Sequence, residues 1–291
     1  MMNKITMKNL VERALEEDLG LGGDLTTQAT IEADHQSTYH FVSRQEGILC
    51  GLDLARTAFG LIDDRLDFKA NIKDGDKIKK GDLIASVSGK TASILMAERV
   101  ALNFMGRLSG IASLTDKMVQ AAKPHSPKIA CSRKTTPLLR AVEKYAVRCG
   151  GGFPHRMRLD DCVMIKDNHI AANCGDVVKT LKKARAYVGH TVKIEIEVDT
   201  LAQFRRVLET ELADIIMLDN MDPRDMAEAV RLNAGKTVLE ASGNVNLNTI
   251  QNIAASGVDV ISIGALTHSA LNFDIGLDAV DVASLGIRLQ A

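Results

Sequence analysis

The chain has no tryptophan, and only 3% of its 291 residues are aromatic, so aliphatic side chains must fill its interior. It also lacks a charge excess: 36 Lys and Arg stand against 37 Asp and Glu, a formal net charge of −1. A chain so balanced has no overall basic character to hold a polyanion, which argues against a nucleic-acid partner. No apolar run approaches the ~20 residues of a membrane span, so no membrane role is expected. The opening stretch MMNKITMKNLVERALEEDLG contains no apolar core of a signal peptide. The five cysteines are scattered, odd in number and without CxxC spacing, which fits reduced thiols in the cytoplasm better than disulfides or zinc.

What is present is organised by order along the chain. Residues 8–19 read as an amphipathic helix stopped by Gly20, Gly22 and Gly23. An extended region is expected from Asp24, and strands and turns over 38–50 and 66–94. A long helix follows from about Ile94 to Ala122, with a break expected at Gly110 and a buried stripe of Leu102, Met105, Leu108 and Ile111. From residue 128 the chain becomes rhythmic. Apolar runs at Ile129–Cys131, Cys162–Ile165, Val192–Ile196, Asp214–Leu218, Thr237–Leu239 and Val258–Ile263 are mostly separated by helical patterns at 137–148, 174–187, 200–209, 222–233 and 246–255. Such alternation is that of a parallel α/β sheet, and the polar residues ending every strand favour a barrel whose site is built at strand C-termini.

Those endings carry the candidate chemistry. Between Lys128 and Ile170 cations gather: Arg133, Lys134, Arg156 and Lys166, with His155 after the run Gly150–Gly152. A local cationic cluster in a neutral chain suits a small anion. Arginine grips carboxylates bidentately and lysine acts as a point charge; Lys166 could equally be a Schiff-base lysine of an aldolase-like lyase. Glu197 and Asp219 end adjacent strands and could bind Mg²⁺ or stabilise a developing cation, or simply pair with nearby Lys and Arg. Glu195, two residues before Glu197, points to the same side. Ser242-Gly243-Asn244 and Ile263-Gly264-Ala265 follow the last two strands, where barrel loops hold phosphate. The residues alone therefore describe a barrel for a phosphorylated, multiply anionic small molecule, with Mg²⁺.

Taken jointly, the motifs are more specific. Ala14-Leu-Glu-Glu-Asp-Leu-Gly, Gly23-Asp-Leu-Thr-Thr, Glu98-Arg-Val-Ala-Leu-Asn, Leu108-Ser-Gly-Ile-Ala, Ser132-Arg-Lys-Thr-Thr-Pro, Ile165-Lys-Asp-Asn-His-Ile, Glu195-Ile-Glu-Val, Leu218-Asp-Asn-Met, Glu240-Ala-Ser-Gly and Gly264-Ala-Leu-Thr-His-Ser run through nearly the whole chain. Together they resemble the quinolinate phosphoribosyltransferases, the decarboxylating enzymes of de novo NAD synthesis. The resemblance implies that quinolinate and phosphoribosyl pyrophosphate give nicotinate mononucleotide, pyrophosphate and CO₂, with Mg²⁺. It implies an N-terminal α/β sandwich over 1–110, joined by segment 276–291, and an open six-stranded α/β barrel over 111–275. It implies a homodimer, or a higher oligomer built from it, with a shared active site to which Arg99 is donated across the interface. Ser132, Arg133, His155, Arg156 and Lys166 would hold quinolinate, and Lys134 would lie between the two substrates. Glu197 and Asp219 would hold the ribose hydroxyls and Mg²⁺, directly or through water. Ser242, Gly243, Asn244, Ile263, Gly264 and Ala265 would bind the 5′-phosphate.

The sequence departs from the family pattern at four places. Ser132 replaces Thr and keeps the hydroxyl. Leu138 replaces Gly at what reads as the start of a helix. Pro154 replaces Asn, removing an amide and a backbone donor beside His155. Asn244 replaces Gly, and Asn tolerates left-handed backbone angles. Two rivals keep the same scaffold: a molybdate-transport-associated paralogue, and a phosphosugar-binding protein without catalysis.

Overall fold

The structure is a computed structural model that describes residues 3–280. The chain divides into two compact units, one of residues 3–114, 148–150 and 270–280, the other of 115–147 and 151–269.

In the first unit α1 (Lys4–Leu19) is followed by α2 (Leu25–Thr30), β1 (Gln36–Ser43), β2 (Gly47–Ile48), α3 (Leu52–Ile62), β3 (Asp67–Ala70), β4 (Lys77–Ile78), β5 (Leu83–Lys90) and most of α4 (Thr91–Ala121). Two expectations change here, and one element is new. Asp24 does not open an extended segment; its carboxylate accepts from Thr27 N–H at 3.0 Å and caps α2. Helix α3 fills the gap between the two expected strand regions, where no element was expected. Its first N–H groups, those of Gly51 and Leu52, both donate to Asp74 Oδ1 at 3.0 Å, so its cap comes from far along the chain. Helix α4 starts at Thr91 and runs through Gly110 unbroken. A Cβ at Gly110 would overlap the Leu271 carbonyl, so this glycine serves close packing, not a break. The expected stripe holds: Leu102, Met105, Leu108 and Ile111 are all buried.

The core of this unit gathers three of the chain's seven phenylalanines. Phe41 meets Phe59 edge-on at 5.7 Å between ring centres, and Phe68 lies 5.8 Å from both. Burial, and a hydrogen bond that the Cys50 thiol donates to Cys149, push the Cys50 thiol up, and all five cysteines are free.

The second unit holds β6 (Lys128–Ala130), α5 (Arg140–Cys149, whose last two residues belong to the first unit), β7 (Val163–Ile165), α6 (Asp167–Ala171), α7 (Val177–Tyr187), β8 (Ile194–Val198), α8 (Leu201–Leu208), β9 (Ile215–Asp219), α9 (Pro223–Asn233), β10 (Val238–Ser242), α10 (Ile250–Ala255), β11 (Val260–Ser262) and α11 (Ala265–His268). Its strands are all parallel, in the order β6-β11-β10-β9-β8-β7, with β6 and β7 at the two ends: an open six-stranded α/β barrel. Three helices start later than their patterns suggest, α7 among them, which begins at Val177 after its Asp176 cap. Leu138 stands outside α5 at φ 67°, 86% exposed, so it occupies a left-handed turn and repacks nothing. Helix α10 begins at Ile250, after a turn in which Asn246 N–H donates to Thr249 Oγ1 at 3.0 Å.

Finally β12 (Ile275–Ala279) pairs antiparallel with β1, completing the four-stranded sheet β12-β1-β5-β3 of the first unit. The expected joining segment beyond 280 lies outside the described residues. Among the described residues no helix is long and apolar enough to cross a membrane.

Candidate active site

The period of two along each strand sorts side chains into an outer and an inner face. On β8, Ile194, Ile196 and Val198 are buried with the outer apolar set, while Glu195 and Glu197 take the inner face. The inner residues form two levels. Glu195 and Glu240 are almost fully buried below, and Glu197, Asp219 and Ser242 line a cavity of about 680 Å³ above. Every predicted site residue of this unit lines that cavity, and Met164, Met217 and Asn220 join them. Arg99 does not; it sits exposed on α4 in the first unit. A larger hollow of about 870 Å³ in the first unit, between Asp24 and Met96, contains none of the predicted residues.

One wall of the cavity is cationic and short of anions. Arg133 and Arg156 each carry a buried Nε–H with no acceptor among the described residues. Burial, then Arg156 and Arg140 nearby, hold Arg133 below the usual guanidinium value. Cations packed against one another with unused donors have the chemistry to bind an oxyanion. Arg156 is oriented by donating from Nη1 to the Cys162 carbonyl at 2.8 Å. Lys134 is set by three contacts: its N–H donates to Ser132 Oγ at 3.0 Å, its carbonyl accepts from Thr267 Oγ1 at 2.7 Å, and Gly264 leaves room for its stem. Lys166 is ion-paired with Glu197. Its Nζ is thus engaged at the mouth rather than lying free in an apolar pocket, which removes the ground for a Schiff-base lysine.

Beneath this wall His155 Nε2 lies 3.4 Å from Glu195 and 3.3 Å from Glu240. Among the described residues, both Glu195 oxygens and Glu240 Oε1 lack a well-aligned hydrogen-bond partner. Burial opposes a charge on the ring, but the two carboxylates outweigh it and raise the His155 pKa to about 10. Burial also raises Glu195. The Arg156 N–H, 2.7 Å from Nδ1, favours a ring with its only proton on Nε2. The two observations conflict. Charge decides, because two buried carboxylates opposite a neutral ring would be far costlier than opening one contact between adjacent residues.

The opposite wall consists of loops. Gly243 (φ 92°) and Asn244 (φ 51°) both take left-handed backbone, as expected for Asn244. The Ile263 N–H is spent on the Ala130 carbonyl at 2.8 Å, so in the second loop Gly264 and Ala265 are left to offer N–H groups to an anion. The trio Ile263 to Ala265 is thereby reduced to two donors.

Models of the quinolinate phosphoribosyl transferase C-terminal and N-terminal domains match residues 111–278 and 24–109. The chain belongs to this family. It is 42% identical over 277 residues to the probable carboxylating nicotinate-nucleotide pyrophosphorylase of Bacillus subtilis, covering 95% of this chain and 94% of that one. It is 45% identical to the mitochondrial decarboxylating quinolinate phosphoribosyltransferase 2a of Nicotiana tabacum, covering 93% and 81%. The crystal structure of NadC from Streptococcus pyogenes superposes with a TM-score of 0.91 at 40% identity, covering 97% and 99%.

Within this quinolinate phosphoribosyl transferase scaffold, sequence reasoning missed the supports of the site. Lys144 is buried on α5 and donates from Nζ to the His155 and Arg156 carbonyls at 2.8 and 3.1 Å. Glu143, also buried, accepts from Thr136 N–H at 3.1 Å and Thr136 Oγ1 at 2.8 Å. The available signal was two adjacent charges beside the apolar positions Val142, Ala146 and Val147, where an amphipathic helix should be dry.

Proposed function

We propose that this chain transfers the phosphoribosyl group of phosphoribosyl pyrophosphate to the ring nitrogen of quinolinate, releasing pyrophosphate and CO₂ and leaving nicotinate mononucleotide. The observation that carries the reading is the pair of buried, acceptor-less guanidinium donors on Arg133 and Arg156, facing carboxylates and free N–H loops across one cavity.

In this reading Arg133, Arg156, His155, Ser132 and Lys166 hold the two quinolinate carboxylates, and the 5′-phosphate rests on Gly243, Asn244, Gly264 and Ala265, beside Ser242. As pyrophosphate departs, positive charge develops at the ribose carbon, and Glu197 and Asp219 stabilise it. The nitrogen then forms the new bond, and the ring becomes cationic. Loss of the neighbouring carboxylate as CO₂ leaves an electron pair on the ring carbon, which that cation stabilises until a proton is taken up. Lys134, between the substrates, orients both. The oxygen donors of Glu197 and Asp219 are of the hard type that suits Mg²⁺, which when bound would neutralise the pyrophosphate. Arg99 completes the site from a second copy in a homodimer, and the reaction belongs to the cytoplasm.

The test is to incubate the protein with phosphoribosyl pyrophosphate, Mg²⁺ and either quinolinate or nicotinate, and to follow nicotinate mononucleotide by chromatography. Product from quinolinate alone supports the transferase. No product from quinolinate by a folded protein would refute it and favour a phosphosugar binder. Magnesium dependence and a subunit-mixing experiment, in which Arg99→Ala and Lys134→Ala chains complement each other, test the metal and the shared site.

A further inference from the structure

Asp219 does not stand alone at the end of β9. Its Oδ2 accepts from Asn220 Nδ2 at 2.9 Å, and Asn220 Oδ1 in turn accepts from Asn244 Nδ2 at 3.0 Å. The directions are forced. A carboxylate only accepts, so the Asn220 amide must turn its nitrogen to Asp219 and its oxygen to Asn244, and Asn244 must donate. The backbone is arranged for this chain of amides. Asn220 and Asn244 both sit at left-handed angles, φ 53° and 51°, and Asn220 N–H is tied to the Ser242 carbonyl at 2.9 Å. A Cβ on Gly243 would overlap the Asn220 side chain, so that glycine makes the space the relay passes through. Asn244 occupies a position where glycine would satisfy the backbone equally well. Its amide is therefore an addition with a use.

We infer that Asn244 and Asn220 are positioning residues that couple the 5′-phosphate loop to Asp219, so that phosphate seated on the loop aims this carboxylate at the ribose. The inference rests on the transferase reading for its substrate and on the hydrogen bonds alone for its mechanism. Contact of a phosphate with Gly243 and Asn244 fixes the Asn244 side chain, which fixes Asn220, which fixes the Asp219 rotamer. A loop with glycine at 244 would bind the phosphate but leave Asp219 to be ordered separately.

The decisive variant is Asn244→Gly, which keeps the left-handed turn and removes only the amide. Removing one hydrogen bond in a chain ending on a charged group is expected to raise the KM for phosphoribosyl pyrophosphate about tenfold. The Mg²⁺ concentration for half-maximal rate should rise with it. The KM for quinolinate should stay within about twofold, because Arg133 and Arg156 are not in the relay. Asn244→Asp cannot donate either and adds a carboxylate beside the phosphate, so its KM for phosphoribosyl pyrophosphate should rise further than that of the glycine variant. Equal rises in both KM values, or no change in either, would overturn the inference. A second readout needs no turnover: the side-chain amide resonances of Asn220 and Asn244 should both shift in Asp219→Asn. If neither moves, the relay does not exist, whatever the assay shows. A wild type inactive on quinolinate with both amides still responding would refute the transferase reading and retain the relay.

Discussion

The N-terminal rim of strands β8 to β10 and the interior beneath the cavity are built from the same residue types and reach opposite results. At the N-terminal ends charges are matched. Asp214 accepts from Arg185 at 2.8 Å, Lys193 at 3.0 Å and Ile194 N–H at 2.8 Å. Burial opposes that charge, yet the three donors hold its pKa at about 2. Asp259 accepts from Leu239 N–H at 2.8 Å, and Asn233 closes two bonds with Thr237. Inside the barrel, Arg133 and Arg156 from the loops between β6 and β7, and Glu195 and Glu240 on the inner faces of β8 and β10, keep buried atoms without partners among the described residues. A protein leaves such groups idle only where something else is to satisfy them. The rim holds the fold; inside, the carboxylates face the His155 ring and the two guanidinium groups suit an anion.

That contrast can be broken most visibly at the mouth. Glu197→Ala and Lys134→Ala should each lower kcat by about 10²-fold or more, the range for losing a group that acts on transition-state charge. Their melting temperatures should stay near wild type, since both side chains face the cavity. A folded variant with a near-normal rate would remove that residue from the mechanism.

The next effect concerns His155, whose raised pKa makes stability depend on pH. The cation's contribution is complete below the ordinary value near 6.5 and is lost as pH climbs through about 10. Glu240→Gln removes one of the two carboxylates that favour the cation. The stability gap between wild type and this variant, followed by urea unfolding, should therefore be widest near pH 6 and narrow towards pH 10. A gap independent of pH would show the ring to be neutral, as its Arg156 contact suggests.

At the matched end the sign reverses. Asp214→Asn should cost about 1 kcal/mol or more in stability at neutral pH while leaving both KM values unchanged. Because the folded pKa lies below the usual carboxylate range, wild-type stability from this group is present above about pH 4 and lost as pH falls towards 2. The variant should lack that part of the acid transition in a pH-dependent melt. The smallest effect is Leu138→Gly, expected to stabilise by about 0.5–1 kcal/mol, because a left-handed residue with an exposed side chain loses only strain.

The barrel and its mouth were legible because parallel strands announce themselves locally. Ile194 to Val198 alternates apolar and acidic residues, so one strand showed both which face was inner and that Glu197 lay on it. Lys166 and Asp219 follow apolar runs directly, and Arg133 and Lys134 come just after Ser132 at the end of another. What stayed hidden depends on contacts distant in sequence. Helix α3 is capped by Asp74, and Lys144 braces carbonyls of residues 155 and 156. Gly110 read as a helix breaker because its reason, the Leu271 carbonyl, lies 161 residues on. Asp24 was misread for a simpler cause: its capping role is local, but Leu-Thr-Thr after it has strand-forming preferences that the cap overrides.

The central claim is that the idle cations at the mouth await two carboxylates on one ring. Titration calorimetry of the protein with quinolinate and, separately, with nicotinate tests it directly. The account predicts that quinolinate binds at least about tenfold more tightly, the difference expected for one charge-assisted carboxylate contact. Equal affinity for the two acids would mean that Arg133 and Arg156 do not read the second carboxylate, and the assignment of this wall to quinolinate would fall.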